Sequence, residues 1–403
     1  MKILLINNQE LKGGAAVVAK SLALGLERMG HQVNFLVAQK DSSDMNVETI
    51  PTSKIRKFFS YLFSNDIDFY KTDYILDLEI FKKADVIHCH NLSGHYFNLN
   101  TLEKISKLKP VLWTFHDAYP LNHYYAHNFS DEVKGGLFTG QGFSFLAKVL
   151  WYRKKYLKRR KVAIYKNSDF SIASPSQWLI DKIKKTVLKD KKNYLVPNGI
   201  DLTLYNNIDR SEARKSLGLP IDKKIILFMA NGGSKNPLKG WNYFLEVVEN
   251  YRNNPNVLFL VIGGEEIKNK YESVKFIKYL TDKEEVSKYY QACDVLLFPS
   301  LAENFPLAVL ESMAAGTPVL SFNVGGIKEV MVHKENGYLA EEKNVADLLS
   351  GLDYLLNLSE SELELMSERS RNKIKNNYSL EKMVDNYIKV YQELINKKNE
   401  NRN

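Results

Sequence analysis

The chain is predicted to be an α/β protein of two domains, each a parallel sheet covered by helices. Three observations predict this. At 403 residues it is too long for one ordinary core and fits two domains of roughly 200 residues. Short apolar runs alternate with helical stretches from end to end, as parallel strands and their crossover helices require. Between the two sets of runs lies VPNGIDLTLY, a Pro-Asn-Gly turn followed by irregular sequence, which suits a domain boundary.

In the first half the apolar runs place strands at 2–6, 33–37, 86–89, 111–114, 170–173 and 194–196. In the second half they fall at 225–229, 257–262, 274–277, 295–298 and 319–322. Ser174 to Ile183, SPSQWLIDKI, reads as a serine-capped helix after a strand. The stretch 380–395 is amphipathic, and the Lys/Asn-rich residues after Ile395 are expected to fray. The predicted domains are 1–205, joined by the final helix 380–403, and 206–379.

Composition narrows the class. A hydrophobic share of 44% with 26% charged residues belongs to a soluble globular protein. No apolar run approaches the roughly 18–20 residues of a membrane span, and MKILLINN enters a strand without a cleavable signal. Cys89 and Cys293 stand alone, which argues against disulfides and structural zinc and for a reducing cytoplasm. The net charge of +9 is uneven: residues 1–200 carry 30 Lys+Arg against 18 Asp+Glu, or +12, and residues 201–403 carry 26 against 29, or −3. A basic first half suits nucleic acid, an anionic membrane or an acidic acceptor.

The most informative stretch is ENFPLAVLESMAAGTPVL, 303–320. Pro306 suits the first helical position, and the helix is expected over 307–315 with its stop at Gly316. The unpaired N–H groups of such a helix start attract phosphate, and Glu303 and Glu311 flank it with carboxylates. Other segments also carry chemistry. Gly13-Gly14, between the first strand and an Ala-rich helix, permits close backbone approach, although G-x-G-x-x-G is absent. VLWTFHDAYPLNHYYAHNF sets His116 and Asp117 at a strand's carboxyl end, with His123, Tyr124, Tyr125 and His127 soon after. Lys239-Gly240 lies between a flexible loop and a helix, where a cation can meet a diphosphate. Each of these also has a plain reading: a turn, a structural histidine, a surface lysine.

Together these segments resemble the retaining glycosyltransferases of family four, with the GT-B fold and the E-x7-E signature at Glu303 and Glu311; the bacterial polysaccharide-biosynthesis members are similar in their W-T-x-H-D segment. The resemblance implies two Rossmann-like domains facing each other across a cleft, with the C-terminal helix crossing back to the first. It implies His116 and Glu303 at the reacting sugar, and Gly14, Lys239, Lys235, Phe305, Pro306 and Leu307 at the donor diphosphate. Glu311 would bind the ribose, Tyr279 and Leu280 the base, and Asp117, His123 and Tyr124 would lie on the acceptor side. Relatives usually carry an Arg five or six residues before Lys239; Gly232, Gly233 and Ser234 stand there instead.

The function implied is transfer of a hexose or N-acetylhexosamine from a UDP- or GDP-linked sugar to a glycan or lipid-linked acceptor. No cofactor or metal is expected, since no D-x-D stands in a loop after a strand. Two other readings stay open: a sugar-nucleotide epimerase or phosphorylase on the same architecture, and a basic nucleic-acid-binding protein, which would lack any stacking platform. The basic run 148–166 suits an anionic membrane surface or an ordinary solvated helix, so the expected location is cytoplasmic, peripheral to the inner membrane face.

Overall fold

The computed structural model describes residues 1–62, 65, 67, 69–121, 144–205, 209–229, 236–263 and 271–400. The chain forms two compact units, Met1–Pro197 with Met383–Asn403, and Asn198–Lys382.

The first unit holds seven strands: β1 (Lys2–Gln9), β2 (Gln32–Gln39), β3 (Val47–Thr49), β4 (Val86–Cys89), β5 (Val111–Thr114), β6 (Ser171–Ser174) and β7 (Asn193–Leu195). They pair in the order β3-β2-β1-β4-β5-β6-β7, and every pairing is parallel. The second unit holds β8 (Lys224–Met229), β9 (Val257–Ile262), β10 (Val274–Ile277), β11 (Val295–Phe298), β12 (Val319–Phe322) and β13 (Gly337–Ala340). Their order is β10-β9-β8-β11-β12-β13, again all parallel. Both are Rossmann-like arrangements, in which strand order reverses beside the first strand, and ligands bind at the carboxyl ends where it reverses. Helices on both faces explain why central strands such as VLLF, 295–298, are buried throughout rather than alternating.

The fold differs from the sequence expectation in four places. β3 and β13 are additional strands: one has three residues at a sheet edge, and the other opens on a glycine, so neither shows a strand pattern. Pro306 is not the first helical residue. At φ −74°, ψ 126° it is the extended residue before the helix Leu307–Ala314, and its carbonyl accepts from Leu310 N at 3.5 Å. The last helix does not fray after Ile395; it runs Leu380–Glu400, and Lys398 Nζ donates to Ser106 O at 3.0 Å. Several strand ends also move by one to three residues, as at β1.

That last helix begins in the second unit, and from Met383 it belongs to the first. Its Met383, Val384, Tyr387, Tyr391 and Leu394 are buried. The two crossing connections lie side by side, with Ile200 N donating to Tyr378 O at 3.0 Å and Leu380 N to Ile200 O at 2.8 Å.

Candidate active site

In the second unit, strand order reverses between β8 and β11, and the loops leaving these two strands bring Lys239 and Glu303 together. Lys239 ends the short 3-10 turn Pro237–Lys239, and Gly240, at φ 73°, turns the chain into the helix Trp241–Asn250. A Cβ on Gly240 would lie 1.8 Å from Pro299 O, so only glycine allows this turn to press against the end of β11. Leu238 O then accepts from Leu301 N at 2.8 Å and from Ser300 Oγ at 3.0 Å, which laces the two loops together.

Glu303 Oε1 accepts from Lys239 Nζ at 2.6 Å and from Ser300 Oγ at 2.7 Å. Both charged side chains are partly open to solvent, so the pair stays accessible to a ligand. The Glu303 backbone is held from behind. Gly325, at φ 59°, packs so closely that a Cβ there would stand 1.7 Å from Glu303 O, and Gly326 N donates to the same oxygen at 3.4 Å.

Just beyond lies the helix Leu307–Ala314, whose start has no side-chain cap and so offers backbone N–H groups. The Phe305 side chain is core, set edge-on to Tyr378 at 5.4 Å, and Phe305 O accepts from Asn198 Nδ2 at 2.9 Å. One turn into the helix, Glu311 Oε2 accepts from Tyr290 OH at 3.0 Å. Burial raises the Glu311 pKa, opposed by the Tyr290 hydrogen bond and by Lys283. Tyr279 is exposed and Leu280 packs on the core, both in the loop after β10. Lys235 lies outside the described residues.

In the first unit the corresponding edge carries the glycines and a row of histidines. Gly13, at φ 90°, precedes the helix Gly14–Arg28, again without a side-chain cap. A Cβ at Gly14 would meet no atom within 4 Å, so the space beside it is open. The loop before it is anchored by buried Glu10, which accepts from Asp41 N at 2.8 Å, from Ser42 N at 3.0 Å and from Ser42 Oγ at 2.5 Å.

Alternation along β4 and β5 puts His88 and His90 on one face, and Thr114 and His116 beside them. His88 bridges Tyr391 OH and Thr114 Oγ1, each at 2.7 Å, and Thr114 Oγ1 also meets Tyr387 OH at 3.0 Å. His90 Nδ1 lies 2.9 Å from His116 Nε2, with the rings stacked at 5.2 Å. His90 Nε2 is buried with no hydrogen-bond partner among the described residues. An orphaned N–H is costlier than a bare lone pair, so the favoured arrangement has His90 Nδ1–H donating to His116 Nε2. Burial lowers the pKa of all three histidines, that of His116 to about 4. Asp117 Oδ1 accepts from Tyr119 N at 2.8 Å. His123, Tyr124, Tyr125 and His127 lie outside the described residues.

Residues 12–204 match the family model "Glycosyltransferase Family 4", and residues 209–378 match "Glycosyl transferases group 1". The chain belongs to glycosyltransferase family four. This family-four chain is 25% identical over 397 residues to an uncharacterized glycosyltransferase of Methanocaldococcus jannaschii, covering 94% of each. It is 28% identical over 234 residues to the UDP-Gal:alpha-D-GlcNAc-diphosphoundecaprenol alpha-1,3-galactosyltransferase of Escherichia coli, covering 53% of this chain and 57% of that one. The fold of the glycosyltransferase is shared with Anabaena HepE, solved with UDP (TM-score 0.69, 15% identity, 98% of this chain and 100% of that chain). HepE has also been solved with UDP-glucose.

Sequence reasoning missed four residues that meet the candidate set: Ser300, which shares Glu303; Tyr290, which meets Glu311; Tyr205, whose pKa is raised by burial and then by Glu311; and His90. Two had a visible signal. Ser300 stands three residues before Glu303 in PSLAE, and H-C-H at 88–90 puts two histidines on one strand face. Tyr205 and Tyr290 are distant in sequence and carry none.

Proposed function

We propose that this glycosyltransferase is a retaining, metal-independent hexosyltransferase. It takes a hexose or N-acetylhexosamine from a UDP- or GDP-linked donor and passes it to a glycan or lipid-linked acceptor of cell-surface polysaccharide synthesis, on the cytoplasmic side of the membrane. The observation that carries the reading is the Lys239–Glu303 pair beside an uncapped helix start, at the point where strand order reverses.

When the bond between the anomeric carbon and the diphosphate breaks, the electron pair goes to the phosphate oxygen. Lys239 and the N–H groups at 307–309 supply positive charge there. Glu303 accepts from sugar hydroxyls and Glu311 from ribose hydroxyls. The acceptor oxygen bonds the anomeric carbon on the face the diphosphate leaves, and its proton passes to the leaving phosphate oxygen. His116, whose pKa of about 4 keeps it neutral at pH 7, steadies the sugar ring as positive charge develops without adding repulsion. Lipid-linked acceptors draw support from the name of the E. coli relative, and uridine nucleotides from the HepE complexes. The buried free thiols Cys89 and Cys293 suit a reducing compartment.

The test is a screen of nucleoside-diphosphate sugars by calorimetry, followed by transfer assays with and without a chelator. We expect one donor class to bind, turnover to survive chelation, and NMR of the product to show the donor's anomeric configuration. Glu303→Gln should lower turnover roughly 10–10²-fold, the scale of a hydrogen bond to a charged group, while Glu311→Gln should chiefly weaken donor binding. Absence of binding to any sugar nucleotide would sink the reading.

A further inference from the structure

One helix of the first unit is built inside out. Lys54–Leu62, KIRKFFSYL, turns its polar side inward: Ser60 is fully buried, its Oγ donating to Asn65 O at 2.6 Å and lying 2.7 Å from His95 Nδ1. At about 100° per residue, Ile55 and Phe58 project roughly 140–160° away from Ser60. They are 69% and 62% exposed, and Phe59 beside them is 40% exposed. Phe58 and Phe59 meet edge-on at 5.7 Å, forming a raised aromatic patch. A surface helix normally buries its apolar stripe and wets its polar one, so this helix presents to solvent what ought to be covered.

The charges say what covers it. Lys54 borders one edge of the apolar arc and Arg56 the other, Lys57 follows behind Lys54, and the segment holds no acidic residue. An apolar face with Phe and Ile, edged by Lys and Arg, suits the boundary between anionic headgroups and acyl chains, where the rings enter and the cations stay at headgroup level. The surrounding half of the chain is net +12 over residues 1–200, which adds attraction to the same surface.

Among the described side chains of the basic helix Ser144–Asn167, Tyr156 is exposed but the other large apolar residues face inward. Its Leu157, Ile164 and Tyr165 are buried in the core, Lys161 Nζ donates to Tyr119 O at 3.2 Å, and Arg160 Nη2 donates to Asn100 Oδ1 at 3.1 Å. It can offer charge outward, but those apolar residues are already spent on its own domain.

We propose that Lys54–Leu62 docks the first unit on an anionic lipid bilayer, with Ile55, Phe58 and Phe59 inserted and the flanking Lys54 and Arg56 on the phosphates. The proposal deepens the membrane-side reading above and rests on it for its biological sense. Vesicle binding is measured without donor or acceptor, however, so failure of one is distinguishable from failure of the other.

The test is co-sedimentation of the full chain with phosphatidylcholine vesicles, with and without phosphatidylglycerol, across a salt series. Wild type should sediment with the anionic vesicles only and less so as salt rises. The double variant I55S/F58S should bind about tenfold less, with unchanged circular dichroism and melting, since both side chains are exposed. K54Q/R56Q should lose the preference for anionic lipid. No sedimentation of wild type with phosphatidylglycerol, or equal sedimentation of I55S/F58S, overturns the proposal. So does a wild type that self-associates in solution through this face while I55S/F58S is monomeric, because the occupant is then a second copy.

Discussion

His88, His90 and His116 line the carboxyl edges of β4 and β5 in their neutral forms, and acid is the condition that tests them. Burial depresses each folded pKa below the ordinary value of about 6.5, that of His116 to about 4. Between the folded and unfolded values the unfolded chain binds more protons, so stability rises with pH there and is lost as pH falls from about 6.5 towards 4. For His116 the difference at full titration is on the order of 3 kcal/mol. Thermal melts at pH 8 and pH 5 should show the first unit weakening in acid, and His116→Asn should flatten the dependence. An acid-independent melt would show that these groups titrate normally. Glu303, Lys239 and His116 were legible in the sequence because a strand end or a turn flags each. Their partners Ser300 and His90 had fainter signals, because a hydrogen bond between neighbouring loops or strands is set by register rather than by spacing along the chain.

At the scale of elements, two glycines make opposite tests. Gly325 is required by its neighbour: its φ is positive, and a Cβ there would stand only 1.7 Å from Glu303 O, which leaves no room for a side chain. Gly325→Ala should displace the 302–304 loop, lowering donor affinity at least about tenfold and the melting temperature by several degrees, on the scale of about 1–3 kcal/mol for a strained backbone. Gly14 meets nothing, and it sits in a helix where Ala is favoured by up to about 1 kcal/mol. Gly14→Ala should therefore hold or raise the melting temperature while lowering turnover, if ligand backbone contact is what the glycine serves. A drop in both would mean the residue is structural. Sequence pattern located most strands, because buried parallel strands are continuous apolar runs. β3 and β13 escaped because their length and composition carry no such run, and only pairing with β2 and β12 makes them strands.

On the scale of the whole molecule, the chain's last helix is part of the first unit's interior. Tyr387 and Tyr391 are fully buried, and their hydroxyls meet Thr114 and His88. Tyr391→Phe leaves a buried imidazole nitrogen without its partner and should cost about 1–3 kcal/mol. Deleting 383–403 removes the buried apolar side as well, so hydrogen exchange should show the first unit unfolding while the second unit, Asn198–Lys382, stays protected. Equal loss of protection in both units would show that they fold only together.

The sequence by itself determined the two parallel α/β units, the division of charge between its halves, the E-x7-E segment and an amphipathic last helix, whose return to the first unit came only from the family resemblance. All of these are written in local runs and turns. Tertiary structure alone decided that Lys239 pairs with Glu303, that His90 hydrogen-bonds and stacks on His116 while His88 packs tilted against His90 and is tied to Tyr391, and that Lys54–Leu62 faces outward with its apolar side. An amphipathic pattern states that a helix has two faces. Which of them meets the core depends on what the rest of the fold leaves there to pack against, and at this helix that is a hydrogen bond to Ser60.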